Sequence, residues 1–409
     1  MPMPVSTWVE IDLDRFAANL AAIRGIDGAR HEIMLVTKAD AYGHGAVEMA
    51  RAAEHEGVAT LGVATLHEGI QLRQSGCRLP IVVLSPLLPS EIDDAVANDL
   101  SPTVADLDFA QALSAAASAG PGPVRVHVEI DTGMGRTGVR EEDAEAFLVA
   151  LSSLPRLRLA SLYTHFPDAD AEDLSFTAAQ SLRFQALVAR LAERGVRPAR
   201  IHAANSAGTL NVADARLDWL RVGLIAYGLH PAHSRTRLAL APVMAFKSRL
   251  VQVRSLPAGV PVSYGRTFVT QRPTRLGVVP VGYGHGLSWL MSNRGEMLVA
   301  GRRVPIIGRV TMDLTMVDLT DVPAEVGDEV VLFGDQGEAA LPIDEVAAWS
   351  ETLAYEVMCT IGKRVTRIYV RDGQPVKLTT LVGERAEWAS QAVDHFRRRA
   401  AALATTRRL

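Results

Sequence analysis

The sequence predicts an α/β protein: an N-terminal (β/α)8 TIM-type barrel followed by a C-terminal, mostly antiparallel β domain. Three observations carry this. Short β-branched runs alternate with longer alanine-rich stretches of helical period through the first half of the chain. Those runs are apolar on both faces, as strands must be when helices cover the outside. Near residues 231–237 the alternation stops, and strands then follow one another without long helices between them.

In order, the barrel strands are predicted at 33–38, 60–65, 81–85, 101–104, 124–130, 158–163, 200–204 and 219–224. Helical stretches fall between them at 46–55, 67–74, 106–119, 141–154 and 176–194. Eight strand–helix steps within roughly 230 residues is the pattern of a closed parallel barrel. The second domain is predicted from strands at 246–256, 275–281, 297–299, 304–307, 316–318 and 329–333. The expected domains are therefore 1–235, 236–380 and a helical extension at 381–409, with the first ~10 residues open to pairing with the β domain. Residues 384–409 read as an amphipathic helix with a basic end, a packing or solvated element rather than a binding tail.

Composition narrows the function. With 409 residues, 48% hydrophobic and 22% charged, the chain can bury two sizeable cores. A formal net charge of −4 argues against a nucleic-acid or anionic-membrane partner. The two cysteines, Cys77 and Cys359, make neither a metal-ligand pattern nor a disulfide framework, so no metal and a reducing cytoplasm are expected. The first 14 residues have no long apolar run and carry early acids, unlike a signal peptide. No apolar stretch approaches the ~20 residues that span a bilayer.

In such barrels chemistry sits at the C-terminal strand ends. Lys38 ends the first predicted strand, Arg136 follows the fifth, His165 ends the sixth, Asn205 and Ser206 end the seventh, and Arg221 lies in the eighth with Gly223 just beyond. Five strands thus aim polar groups at one mouth. Lys38 closes an apolar run, where a charge is costly without a partner or a reaction. A desolvated lysine has a lowered pKa and becomes a nucleophile suited to a Schiff base. Alone it would read as a lysine snorkelling at a strand end. The following Ala39-Asp40-Ala41-Tyr42-Gly43-His44-Gly45 tips the reading: its glycines let backbone approach a ligand and Tyr42 offers a hydroxyl. Ser206, Gly223 and Leu224 fall in the loops where these barrels commonly bind phosphate. Ser206 also reads as a helix N-cap.

These segments resemble the alanine racemase family of fold-type III pyridoxal-phosphate (PLP) enzymes, from about Trp8 to Tyr369. The resemblance rests on Thr37-Lys38-Ala39-Asp40-Ala41-Tyr42-Gly43-His44-Gly45, Val262-Ser263-Tyr264-Gly265, Val281-Gly282-Tyr283-Gly284, Gly308-Arg309-Val310-Thr311-Met312-Asp313 and Tyr355-Glu356-Val357-Met358-Cys359-Thr360-Ile361. It implies that Lys38 binds PLP covalently and is one catalytic base, and that Tyr264, donated across a homodimer, is the opposing base. Tyr42, Asn205, Ser206, Gly223, Leu224 and Tyr355 would hold the cofactor, mainly its phosphate. Arg221 would contact the pyridine nitrogen, His165 would link Arg221 to Tyr264, and Arg136 would approach the phenolic oxygen and the substrate. Met312, also across the interface, would hold the substrate carboxylate through its backbone, and Tyr283 and Tyr355 would narrow the entrance. His44 and Asp313 are supporting candidates.

These residue types suit racemisation, which removes an α-proton from one face and returns one to the other. Two bases on opposite faces do this, each with a pKa tuned down from about 10. Arginine only donates, so Arg221 would keep the pyridine nitrogen unprotonated and limit side reactions. That argues against a decarboxylase. Many family members carry a carbamylated lysine where this chain has Glu129, which supplies the same charge unmodified. The family's usual Ala-Asp-Gly after Tyr283 is Gly284-His285-Gly286 here, and Trp289 replaces a common arginine. The expected activity is interconversion of L- and D-alanine for peptidoglycan. A serine or broad-range racemase and a non-catalytic PLP-binding protein are the alternatives; Tyr355 favours a small substrate.

Overall fold

The computed structural model describes residues 5–118, 120 and 122–383; the helix expected over 384–409 lies outside them. Among these residues two compact units form, one within 17–241 and one from 5–16 with 242–383.

The first unit is a nearly closed parallel barrel. Its eight main strands are Glu32–Val36, Thr60–Val63, Ile81–Pro86, Ser101–Thr103, Val124–Asp131, Leu157–Tyr163, Arg200–His202 and Trp219–Val222. The eighth pairs with the first through Leu220↔Ile33 and Arg221↔Met34. The gap between seventh and eighth is bridged where Asp218 N donates to Ile201 O (3.0 Å) and Arg221 N to Ala204 O (3.0 Å). Each predicted run holds a strand, but the runs ending at Lys38, Ala204 and Leu224 stop two residues early, at Val36, His202 and Val222. The chain turns there into the connecting loop, so Lys38 sits beyond its strand rather than closing it.

The helices follow the alanine-rich stretches closely: Ala46–His55, Leu66–Gln74, Leu107–Ala117, Ala144–Ser152 and Ser175–Glu193. Side-chain caps set two of their starts. Thr65 Oγ1 accepts from Glu68 N while Glu68 Oε2 accepts from Thr65 N (3.1 Å), and Asp106 Oδ1 accepts from Phe109 N (2.8 Å). The helix Leu13–Arg24 is not among the predicted elements.

The second unit is built on a mixed sheet ordered Arg302–Pro305, Glu296–Val299, Glu329–Gln336, Met244–Arg249, Thr7–Asp12, Thr366–Arg371 and Gln374–Thr379. The N-terminal strand Thr7–Asp12 lies antiparallel to Met244–Arg249 and parallel to Thr366–Arg371. A three-stranded sheet holds Gln252–Leu256, Thr274–Val279 and Thr315–Asp318, and a small hairpin pairs Pro261–Val262 with Phe268–Val269. The continuous strand predicted at 246–256 is two strands. At buried Leu250 the backbone passes from one sheet to the other: Leu250 N donates to Asp328 O and Val251 N to Val278 O. The last hairpin and the helices Ile343–Trp349 and Ala354–Cys359 are also unpredicted. At the centre of the large sheet Lys247 is buried, with Nζ 2.9 Å from Glu10 Oε2.

Candidate active site

Lys38 opens a turn of left-handed helix. Ala39, Asp40, Ala41 and Tyr42 all have φ between +52° and +54°, a conformation that L-residues adopt only at a cost. Local bonds hold it. Glu68 Oε1 accepts from Ala39 N (2.8 Å), and Asp40 Oδ1 accepts from Ala46 N (2.7 Å). Gly43 and Gly45, also at positive φ, end the turn and start the next helix. Lys38 is half-buried at its base.

The turn brings Tyr42 to the loop after the eighth strand. A Cβ on Gly223 would stand 2.5 Å from the Tyr42 hydroxyl. Gly223 N donates to Ser206 Oγ (3.1 Å), which leaves the serine O–H to donate elsewhere. Behind Tyr42 the buried ring of Tyr227 lies at 5.1 Å, its hydroxyl donating to Val36 O (3.0 Å). Asn205, not Ser206, is the N-cap of Ser206–Asn211: its Oδ1 accepts from Gly208 N (2.8 Å). Leu224 is buried beside Gly223. Tyr42, Ser206 and Gly223 thus converge as a small cradle with hydroxyl donors.

The other polar cluster surrounds Arg221, which is 4% exposed. Its Nη1 donates to His202 Nδ1 (2.9 Å); its Nη2 donates to Thr164 O (2.7 Å), Ala203 O (3.0 Å) and His165 Nδ1 (3.1 Å). The guanidinium also lies over the Tyr163 ring, 5.0 Å from its centroid. Burial pushes the Arg221 pKa down to about 10, still cationic at neutral pH. His165 is held well below the usual histidine range by desolvation and by Arg221, Arg136 and Lys38. The cation in the Arg221–His165 pair is therefore the arginine, and the imidazole is neutral.

Arg136 projects from the loop after the fifth strand, where Asp131 accepts from Gly133 N (2.9 Å) and Gly135 N (3.1 Å). Its Nη2 is 3.9 Å from Glu129 Oε1. Glu129 is buried, and its Oε2 accepts from Thr137 Oγ1 (2.7 Å). Burial raises the Glu129 pKa, while Thr137, Arg221 and Arg136 pull it back.

The remaining predicted residues belong to the second unit. Tyr264 sits in the turn of the small hairpin, 73% exposed, flanked by Ser263 and Gly265 at φ of 64° and 71°. Ser263 Oγ donates to Arg309 O (2.7 Å), tying that turn to the segment bearing Met312. Tyr283 N donates to Thr311 O (3.0 Å) and Gly284 N to Met312 O (2.9 Å); a Cβ on Gly282 would collide with Thr311 O at 2.0 Å. Asp313 pairs with Arg364 (2.7 Å), His285 is buried, and Arg309 stacks over Trp289 at 5.2 Å. Tyr283, Met312 and Tyr355, the last opening the helix Ala354–Cys359, are all exposed. Among the described residues no helix is long and apolar enough to cross a membrane, and no group of three or more His, Cys, Asp or Glu is placed to hold a metal.

Sequence reasoning missed the residues that support Arg221: His127, Ser161, Tyr163, Thr164 and His202. The available signal was a histidine within a barrel strand between apolar neighbours, as at Val126-His127-Val128 and Ile201-His202-Ala203.

The comparisons with known proteins agree with this geometry. The family model described as alanine racemase, N-terminal domain, matches residues 11–231, and that described as alanine racemase, C-terminal domain, matches 243–369. The alanine racemase of Desulfosudis oleivorans is 44% identical over 376 residues, 89% of this chain and 96% of that protein. A solved alanine racemase of Clostridium difficile superposes with a TM-score of 0.89 at 35% identity, covering 93% of this chain and all of that one. The alanine racemase of Bartonella henselae, solved with covalently bound pyridoxal phosphate, superposes at 0.81 with 25% identity, over 90% of this chain and all of that one. Two family models spanning both units, with relatives matched over nearly their whole length, show that this chain belongs to the alanine racemase family.

Proposed function

We propose that this protein is a PLP-dependent racemase that interconverts L- and D-alanine in the cytoplasm and supplies D-alanine for peptidoglycan. One observation carries the reading. A lysine on a strained turn, a cradle of hydroxyl donors and a buried arginine whose hydrogen-bond acceptors among the described residues are all neutral lie at the C-terminal ends of one barrel's strands.

The residues present fit PLP. The cradle of Tyr42, Ser206 and Gly223 excludes even a Cβ, and its donors suit a phosphate. Leu224, Asn205 and Tyr355 complete the set that would hold it. Lys38 would bind it covalently. Arg221 would donate to the ring nitrogen, which an always-donating guanidinium leaves unprotonated. Bound PLP supplies the electron sink that acidifies the substrate Cα–H.

The chain's own residues then move the proton. Lys38 Nζ exchanges it on one face of the substrate Cα. Tyr264 Oη of a second copy exchanges it on the other, so the active form is a homodimer. His165, kept neutral with Nδ1 accepting from Arg221, carries its proton on Nε2 and can donate it in a hydrogen bond toward that phenol. Arg136, braced by Glu129, orients the substrate, and the Met312 backbone of the second copy meets its carboxylate. Glu129 already provides a negative group at that place, so no modified lysine is required.

A chiral amino-acid panel with added PLP tests the reading. The expected result is turnover of alanine ahead of serine and larger amino acids. Turnover of serine well ahead of alanine would overturn the substrate while sparing the chemistry. Borohydride should fix PLP to Lys38, seen by peptide mass, and K38A should lose both the label and racemisation. Normal turnover by K38A would end the mechanism.

A further inference from the structure

Below Arg221 the barrel interior contains a hydrogen-bonded layer, one residue from each of four consecutive strands. Arg221 Nη1 donates to His202 Nδ1 (2.9 Å), His202 Nε2 is 2.8 Å from Ser161 Oγ, and Ser161 Oγ is 2.6 Å from His127 Nδ1. All four side chains are buried, Ser161 and His202 completely.

The chemistry of the ends fixes the direction of every link. A guanidinium has no acceptor, so His202 Nδ1 must present its lone pair. The His202 proton is then on Nε2 and is donated to Ser161 Oγ. The serine hydrogen has one acceptor left among the described residues, His127 Nδ1, which must also be unprotonated. Burial holds His127 down to about 3, and burial together with Arg221 holds His202 well below its usual value, so both rings are neutral. Stacking locks the geometry: Tyr163 lies on His202 at 4.8 Å and 9°, and Arg221 lies over Tyr163.

We propose that His127, Ser161 and His202 are positioning residues: a one-way hydrogen-bond chain that holds His202 as an acceptor and so fixes the plane in which Arg221 presents its remaining donors at the barrel mouth. Arg221 has no carboxylate among its hydrogen-bond partners within the described residues, so this neutral chain replaces the ion pair that would otherwise orient it. Removing the serine hydroxyl leaves the His202 N–H buried without an acceptor. The ring then gains by rotating, and the guanidinium loses its register.

The first arm of the test needs no cofactor. Ligand-free full-length protein labelled with 15N-histidine is studied by long-range 1H–15N NMR, with H127Q and H202Q to assign the rings. The expected result is the Nε2–H tautomer for both at neutral pH. An Nδ1–H tautomer at His202, or an imidazolium at either ring, overturns the chain. The second arm rests on the proposed racemase activity. One hydrogen bond is worth about a factor of ten, so S161A should lower kcat about tenfold with KM within twofold, and S161T should restore it. S161A with wild-type kcat, even if it melts earlier, overturns the positioning role. An inactive wild type would sink the functional reading and leave the tautomer result standing.

Discussion

Gly223→Ala probes the proposed phosphate cradle by adding a single methyl. Gly223 does not have left-handed φ, so alanine brings no backbone strain and the whole effect is spatial. The new Cβ would lie 2.5 Å from the Tyr42 hydroxyl oxygen and 2.8 Å from Cζ. Ordinary contact begins near 3.5 Å, so the phenol must retreat by about 1 Å. Tyr227 is packed behind Tyr42 at 5.1 Å, which makes that retreat expensive, about 1–3 kcal/mol by the usual cost of overpacking. A retreating hydroxyl also loses its bond to a charged phosphate, worth about 1.5–3 kcal/mol, or about 10- to 150-fold in PLP affinity. Spectroscopic titration of the apoprotein with PLP reads the second quantity; thermal unfolding of the same apoprotein reads the first. Y42F separates them, since it drops the hydroxyl without crowding: PLP binding should weaken to a similar degree with little change in apoprotein stability. G223A binding PLP within twofold of wild type, while Y42F weakens more than tenfold, would show that the methyl does not displace the phenol.

Two further predictions concern protons. His127, His165 and His202 are all neutral in the fold, chiefly through burial. The unfolded chain binds protons at these residues below about pH 6.5 and the folded chain does not, so their contribution to stability is present above that value and lost as pH falls. Each ring contributes about 1.4 kcal/mol per pH unit in that window; H202Q should flatten the acid limb of stability, followed by denaturant unfolding, by about that slope, and an unchanged slope would refute the assignment. Glu129 has the opposite sign. Its carboxyl is raised by burial, so its contribution is fully present below the ordinary glutamate value and lost as pH rises through the folded one. E129Q keeps an acceptor for Thr137 and removes the charge, so its stability relative to wild type should improve from about pH 4 to pH 7, while KM for alanine rises because Arg136 loses its brace; a relative stability that falls over that range would refute it.

The barrel was legible because most of its strands are apolar runs and five stretches of clear helical period alternate with them, and the candidate mouth residues followed from the rule about strand ends. The β unit was less so. Its register depends on pairings far apart in sequence, such as Thr7–Asp12 with Thr366–Arg371, which no local pattern encodes. The strand break at Leu250 looks locally like one continuous strand, since polar and apolar residues intermix on both sides of it. The last hairpin did leave a mark, since Asp372-Gly373, at φ of 51° and 66°, is a strong two-residue turn signal between strands. The layer of His127, Ser161 and His202 was hidden for a different reason: each is a polar side chain in its own strand, and only the register of adjacent strands, as in His127↔Ser161, makes them neighbours.

The turn at Lys38 marks the limit of sequence reading most sharply. Four consecutive residues at positive φ would be expected of glycine or asparagine, yet they are Ala39, Asp40, Ala41 and Tyr42. At about 1–2 kcal/mol per residue, that conformation survives only because surrounding groups enforce it. Glu68 does much of this, with one oxygen on Ala39 N and the other on Ala64 N and Thr65 N, fastening the turn to the loop after the second strand. The glycines at 43 and 45, at φ of 79° and 93°, release the chain from the turn into the next helix. The left-handed turn sets the lysine at its base and brings the phenol against Gly223, so under the proposed function a single five-residue segment would present both the imine-forming amine and a phosphate donor. On that reading the strained turn, fastened by Glu68, is what would let two functions separated by four residues share one site.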